Sequence, residues 1–262
     1  DTIRMWEADD SVVTGNVVRG GRDVVVWYSS GNRIADNQIS DARYGTHFMY
    51  SHHNQVERNR YERDVVGVFV MYSHDLVLAD NVVRDAGGSA GMAIGLKDSG
   101  NIAVTGNALV HDHTALYLDQ TPLDLGHTLR VTNNLFGRCD AAVVLHGAGH
   151  RTRIDGNDFI ASATDVSVEG GGDTGDVAWS GNYWSEYTGY DLDGDGTGDL
   201  AYELRSFEGD LVDREPALAF FHDTAALAAA DAVTRVVPIY APRSLLVDSA
   251  PRMQPRDREH LR

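Results

Sequence analysis

Met49-Tyr50-Ser51-His52 returns 22 residues later as Met71-Tyr72-Ser73-His74, and Asn59 returns as Asn81 at the same step. Trp27-Tyr28-Ser29-Ser30 and Asn37 precede them by 22 residues again. A fixed period of this length marks a solenoid, in which each repeat stacks on the one before. The anchoring asparagines continue in both directions as Asn16, Asn37, Asn59, Asn81, Asn107, Asn134, Asn157 and Asn182, at steps of 21 to 27 residues. Around them, short β-branched runs alternate with Gly, Asn, Asp and Ser clusters, the pattern of strands and turns. No helical period precedes residue 215. A leucine-rich repeat would need a regular leucine pattern and a helix per repeat, and neither is there. The fold class expected is therefore all-β, a parallel β-helix with about three short strands per coil. Asparagines at a fixed corner bond to the backbone of the next coil and tolerate a left-handed turn, so they should form a ladder with rungs about 4.8 Å apart.

Period-2 alternation then assigns faces. In the strand before the Tyr-Ser corner, Val25/Trp27, His47/Met49, Phe69/Met71, Ile94/Leu96, Leu116/Leu118 and Val143/Leu145 read as the inward set. Tyr28, Tyr50, Tyr72, Lys97, Asp119 and His146 read as the outward one. On this assignment Met49 and Met71 fill the core and His47 is a buried structural histidine.

The chain has 262 residues, 42% of them hydrophobic, with 27 glycines. That suits one turn-rich main domain. A formal charge of −17 argues against nucleic acid as a partner, since phosphates need a basic surface. Lys97 is the only lysine. Cys139 is alone, which excludes an intrachain disulfide and thiolate metal clusters. No apolar run reaches membrane-spanning length; the best stretch, around Ala217–Ala230, is interrupted by His222 and Asp223. The chain opens on the polar Asp1-Thr2-Ile3-Arg4 rather than a signal peptide, with the repeat already running by Ser11, so a start inside a longer protein is expected. The domain organisation expected is 1–204, a β-helix ending in an Asp-rich loop, followed by 205–262. The latter holds a helix over Thr224–Val236, capped by Asp223 and stopped by Pro238, and an extended tail carrying Pro242, Pro251, Pro255 and five arginines.

Two groups of residues carry metal chemistry. Asp191, Asp193 and Asp195 followed by Gly196 match the first half of an oxygen-rich calcium loop, with Asp199 at its ninth position. Tyr202 stands at the twelfth position where a bidentate Glu is expected, and Glu203 comes one place late. The second group is His52 and His74, at one corner of adjacent coils, with His53 beside them. Imidazoles stacked in this way bring nitrogen donors to one ion, and copper is the candidate. His111 and His113, two apart on an expected strand, form a weaker pair. The Tyr28–Tyr50–Tyr72 column offers flat rings to a sugar chain or a protein, and Lys97 with Asp119 is a poor basis for a polysaccharide-cleaving site. No nucleophile motif, P-loop or dinucleotide fingerprint is present.

The stretch Ser180-Gly181-Asn182-Tyr183-Trp184-Ser185-Glu186-Tyr187-Thr188-Gly189-Tyr190, running into the aspartate loop, resembles the NosD family. The Met-Tyr-Ser coils, the turn asparagines and the tail Asp213–Met253 resemble it too. The resemblance implies a right-handed parallel β-helix in the periplasm, not itself an enzyme. It would be attached to an ABC transporter of ATPase and membrane subunits through the C-terminal segment. With a copper chaperone lipoprotein, such a complex supports assembly of the copper centres of nitrous oxide reductase. The family offers no ligand motif to carry over, so copper at His52, His53 and His74 and calcium at the aspartate loop rest on the residues alone. The competing reading is a carbohydrate-binding or polysaccharide-cleaving β-helix, and a purely structural surface solenoid is the third.

Overall fold

Each coil of a solenoid must satisfy the backbone groups at its corners without a turn of regular hydrogen bonding, and this sequence does so with side-chain ladders. In the computed structural model, which describes residues 1–147, 150–169, 174–205, 224 and 244–257, the asparagine column is continuous and buried. The backbone N–H and side-chain amide of Asn59 both donate to Asn81 Oδ1, at 3.0 Å, while the same amide donates to Ile34 O of the preceding coil at 2.9 Å. Asn81, Asn107, Asn134 and Asn157 repeat the arrangement. A serine column, Ser29, Ser51 and Ser73 onto Ser99, does the same at a second corner. The backbone N–H groups along these two columns thus find side-chain acceptors one coil away, which lets the bends be buried.

Between the corners lie three sheets, parallel except where the tail joins the second. The first has eight strands, Ile3–Trp6, Asp23–Trp27, Tyr44–Met49, Val66–Met71, Met92–Lys97, Thr114–Asp119, Ala141–His146 and Thr164–Glu169, stacked in chain order. The third also has eight, from Val17–Arg19 to Tyr183–Trp184, and the second has ten. The parallel β-helix expected from the period is therefore the fold, with eight coils. No helix among the described residues is long and apolar enough to cross a membrane. The helix expected over Thr224–Val236 lies, Thr224 apart, outside the described residues.

Inward rows run the length of the solenoid, one side chain per coil. Val26, Phe48, Val70, Leu96, Leu118 and Leu145 form one such row in the first sheet, in register and buried. Each contributes about 1.5–3 kcal/mol by leaving water. The third sheet ends in an aromatic stack, Phe136 on Phe159 on Trp184 on Tyr202, with centroids 4.9, 4.2 and 4.6 Å apart.

The face assignment needs a correction. Trp27, Met49 and Met71 pair in register with Lys97, Asp119 and His146, not with Leu96, Leu118 and Leu145. The expected columns slip by one residue between the third coil and the fourth, and a one-residue slip exchanges the faces. Ile94, Leu96, Leu116, Leu118, Val143 and Leu145 do face inward, but Val25, Trp27, His47, Met49, Phe69 and Met71 face outward. The first coils mislead because Asp23-Val24-Val25-Val26-Trp27 and Val66-Gly67-Val68-Phe69-Val70-Met71 are apolar on both faces, so alternation carries no sign.

The tail closes the solenoid end. Ser244–Asp248 pairs antiparallel with Tyr202–Arg205 and meets Val177–Ser180 at the parallel pair Trp179–Asp248. Asp248 takes the next rung of the asparagine ladder: its Oδ2 accepts from the Asn182 N–H, the Asn182 amide and Trp184 Nε1 at 3.0, 2.9 and 3.1 Å. Arg252 reaches back to the Gly181 carbonyl and the buried Asp158 carboxylate.

Candidate functional site

The corner between the first and second sheets gathers four histidines. His52 sits in the turn after Tyr44–Met49, and His74 opens the strand His74–Ala79 one coil on. Their rings stack with centroids 3.8 Å apart and 19° between planes. His53 meets His74 edge-on at 5.7 Å. His127, in the excursion between Thr114–Asp119 and Leu129–Thr132, lies 5.4 Å from His74 on its other side. It rests over Gly100, the residue in register with His74; a Cβ at Gly100 would lie 2.5 Å from His127 Nδ1.

Hydrogen bonding assigns the roles. His52 Nδ1 accepts the backbone N–H of His74 at 3.2 Å, so the neutral ring carries its proton on Nε2 and has no in-plane lone pair left for an ion. Burial, with His74 and His53 close by, holds its pKa below the ordinary histidine value. His74 Nδ1 lies 2.7 Å from Asp75 Oδ2, and His53 Nδ1 lies 3.5 Å from the same oxygen. Burial raises the Asp75 carboxyl, but bonds from His74 and Asn101 outweigh it and leave the group below the usual carboxylate range. One ligand atom from each of His53, His74 and Asp75 falls within a 4.8 Å cluster. Of the expected trio, then, His53 and His74 come together around a carboxylate while His52 is a stacking partner. Asp75 and His127 were missed: Asp75 adjoins His74 and was readable, whereas His127 stands outside the repeat register. Two imidazoles and a carboxylate fit divalent copper, and equally zinc, better than the softer Cu(I).

The aspartate loop is only partly assembled as expected. Asp191, Asp193 and Asp195 offer oxygens within 4.8 Å of one another. Asp191 is held by N–H donors from Gly196, Gly194 and Asp195, and these bonds, that from Gly196 foremost, lower its pKa. Asp199 turns instead to the Leu192 N–H at 2.7 Å. At the twelfth position Tyr202 is buried in the terminal aromatic stack, and Glu203 pairs with Arg205 at 2.8 Å. The oxygen set fits a calcium ion, without a bidentate closing carboxylate.

Other candidates resolve more simply. His111 and His113 are in a turn rather than on a strand, and they engage Asp85 and Asp140 at 3.9 and 2.8 Å. Lys97 ion-pairs with Asp119, and His146 Nδ1 lies 3.1 Å from the same carboxylate. Tyr28, Tyr50 and Tyr72 do form an outer column, at the left-handed φ values +50°, +50° and +49°. Their rings stack on each other at 5.4 and 5.0 Å, nearly parallel, with Trp6 against Tyr28 at 5.1 Å. Faces used in stacking on each other are not offered to a sugar ring.

Comparison with known proteins agrees with the fold and narrows the family. Two proteins named "Probable ABC transporter binding protein NosD" align with it. That of Pseudomonas aeruginosa is 38% identical over 101 residues, and that of Stutzerimonas stutzeri 36% over 85 residues. These alignments cover 34% and 32% of this chain but only 22% and 19% of the relatives, so the chain spans about a fifth of their length. Among solved structures, the catalytic unit of a GH87 α-1,3-glucanase from Streptomyces thermodiastaticus superposes with a TM-score of 0.53 at 14% identity, over 67% of this chain and 43% of that one. That likeness is one of fold alone. The profile of the family described as "Periplasmic copper-binding protein (NosD)" matches residues 1–189, and the chain belongs to the NosD family.

Proposed function

We propose that this protein is a periplasmic copper-handling accessory factor that supports assembly of the copper centres of nitrous oxide reductase as a binding scaffold rather than a catalyst. Its partners in this reading are the membrane subunit and ATPase of an ABC transporter, a copper chaperone lipoprotein and nitrous oxide reductase itself. Copper is cargo here. The observation that carries the reading is the convergence of His53, His74 and Asp75 at one corner, in a chain of this family. His74 and His53 offer nitrogen donors, Asp75 orients them or adds an oxygen, and His52 and His127 hold the His74 ring from its two sides. A calcium ion at Asp191, Asp193 and Asp195 would serve structure only.

The test is the copper content of nitrous oxide reductase purified from cells that lack this protein, or carry its H53A/H74A form. Copper-poor enzyme in both supports the role and the site. Fully loaded enzyme from cells lacking the protein overturns the role.

A further inference from the structure

The outer face of the first sheet holds buried polar atoms that have no partner among the described residues. His47 is only 7% exposed, and neither of its ring nitrogens has a hydrogen-bond partner among the described residues. Trp27 Nε1, beside it, is likewise buried and unpartnered. The His47 ring is enclosed by aromatic rings: Tyr44 at 4.8 Å, Trp27 edge-on at 5.5 Å and Phe69 at 5.9 Å. A buried imidazole left without a partner is destabilising, and a ligand on its nitrogens would remove that cost.

Soft donors stand next to it. Met49 is two residues from His47 on the same strand, hence on the same face, and Met71 is in register with Met49 one coil on. Neighbouring strands lie about 4.8 Å apart and residues two apart about 6.6 Å, within reach of flexible thioether side chains. Both methionines are half-buried on the surface rather than in the core. Trp27 precedes Met49 in the same column, placing an indole beside the thioethers. Gly95 extends the patch: a Cβ there would lie 2.4 Å from the Phe69 ring and 3.2 Å from Met92 Sδ.

Resting on the copper-handling reading, we propose that His47, Met49 and Met71 form a Cu(I) site on the outer face of the first sheet, with Trp27 packed against the ion. One imidazole and two thioethers are a soft, low-coordinate donor set that selects Cu(I) over divalent metals, and an indole face attracts a desolvated cation. The site is separate from the His53–His74–Asp75 corner, whose donors favour a divalent ion. The two would take copper in different oxidation states, with no redox step required of this protein.

The experiment is an anaerobic Cu(I) titration of the full chain against a chromophoric Cu(I) chelator, repeated with Ag(I) while Trp fluorescence is followed. The M49L/M71L form keeps volume and apolar character, and H47F fills the ring position, so both should fold. The expected result is at least tenfold weaker Cu(I) binding in each, Ag(I) quenching that disappears in W27F, and Cu(I) binding retained in H53A/H74A. Unchanged Cu(I) affinity in M49L/M71L overturns the site. Loss of Cu(I) binding in H53A/H74A alone does so too, by assigning the ion to the corner. Loaded nitrous oxide reductase in cells lacking the protein would overturn the assembly role and leave this binding result standing.

Discussion

Single residues in this solenoid are set by what the next coil offers them, and Asp64 shows the consequence. It occupies a corner where its Oδ1 accepts the Ala42 N–H at 2.7 Å, while its Oδ2 is buried without a partner among the described residues. Burial raises its pKa to about 7, against the bond from Ala42, which lowers it. Asp112 repeats the device, bonded to Ala86 and raised by burial in the same way. The folded state therefore holds a proton that the unfolded chain has released. Stability from Asp64 is fully present below the ordinary carboxylate pKa and is lost as pH rises through about 7. D64N keeps the carbonyl oxygen for Ala42 without the charge. Denaturant unfolding at pH 8 should find D64N more stable than the parent by about 2–4 kcal/mol, with the gap closing near pH 4. A constant gap at both pH values would mean that Asp64 is not titrating.

At the scale of elements, the aspartate loop tests how far a motif survives when its last ligand is missing. Three of the four expected carboxylates gather, Asp199 holds the Leu192 N–H, and the twelfth position belongs to the core. Losing the bidentate ligand moves such a loop toward the weak class, with Kd about 10⁻⁴–10⁻³ M. Calcium at 10 mM should raise the thermal midpoint by a few degrees through mass action. The effect should vanish in D193N/D195N, whose turn is still held by Asp191. A midpoint indifferent to calcium in the parent protein would remove the ion from the structure. The loop was legible because its ligands are contiguous. The histidine corner was half legible, because a 22-residue step places His52 over His74, yet only the structure shows that His52 Nδ1 is engaged by the His74 N–H. His127 enters from an insertion whose path no period describes. The outer methionines were misassigned because the strands around them are apolar on both faces.

For the whole molecule, the period made the coils readable, but the closing of the last coil was not, because its key residue comes from 66 positions downstream of Asn182. A solenoid's stability is a sum of coil and interface terms, and an uncovered end frays. Asp248 covers this end by accepting from the Gly181 N–H, Asn182 and Trp184 together, in full burial. D248A would leave those donors unsatisfied at about 1–3 kcal/mol each, whereas D248N retains one acceptor oxygen and should lose less. The damage should be local at first. Amide exchange should quicken in the last coils, around Thr152–Asp155 and Val177–Ser180, and stay slow in Tyr44–Met49 and Val66–Met71. Trp179 and Trp184 emission should shift at a lower temperature than the global transition. Uniform acceleration along the whole chain would show a solenoid that unfolds as one unit, and an unchanged exchange pattern would show that Asp248 is not its cap. Because the His53–His74 corner and the His47–Met49–Met71 face both lie in the early coils, D248A should also leave any metal binding there intact, separating the part of the molecule that closes the fold from the part proposed to bind copper.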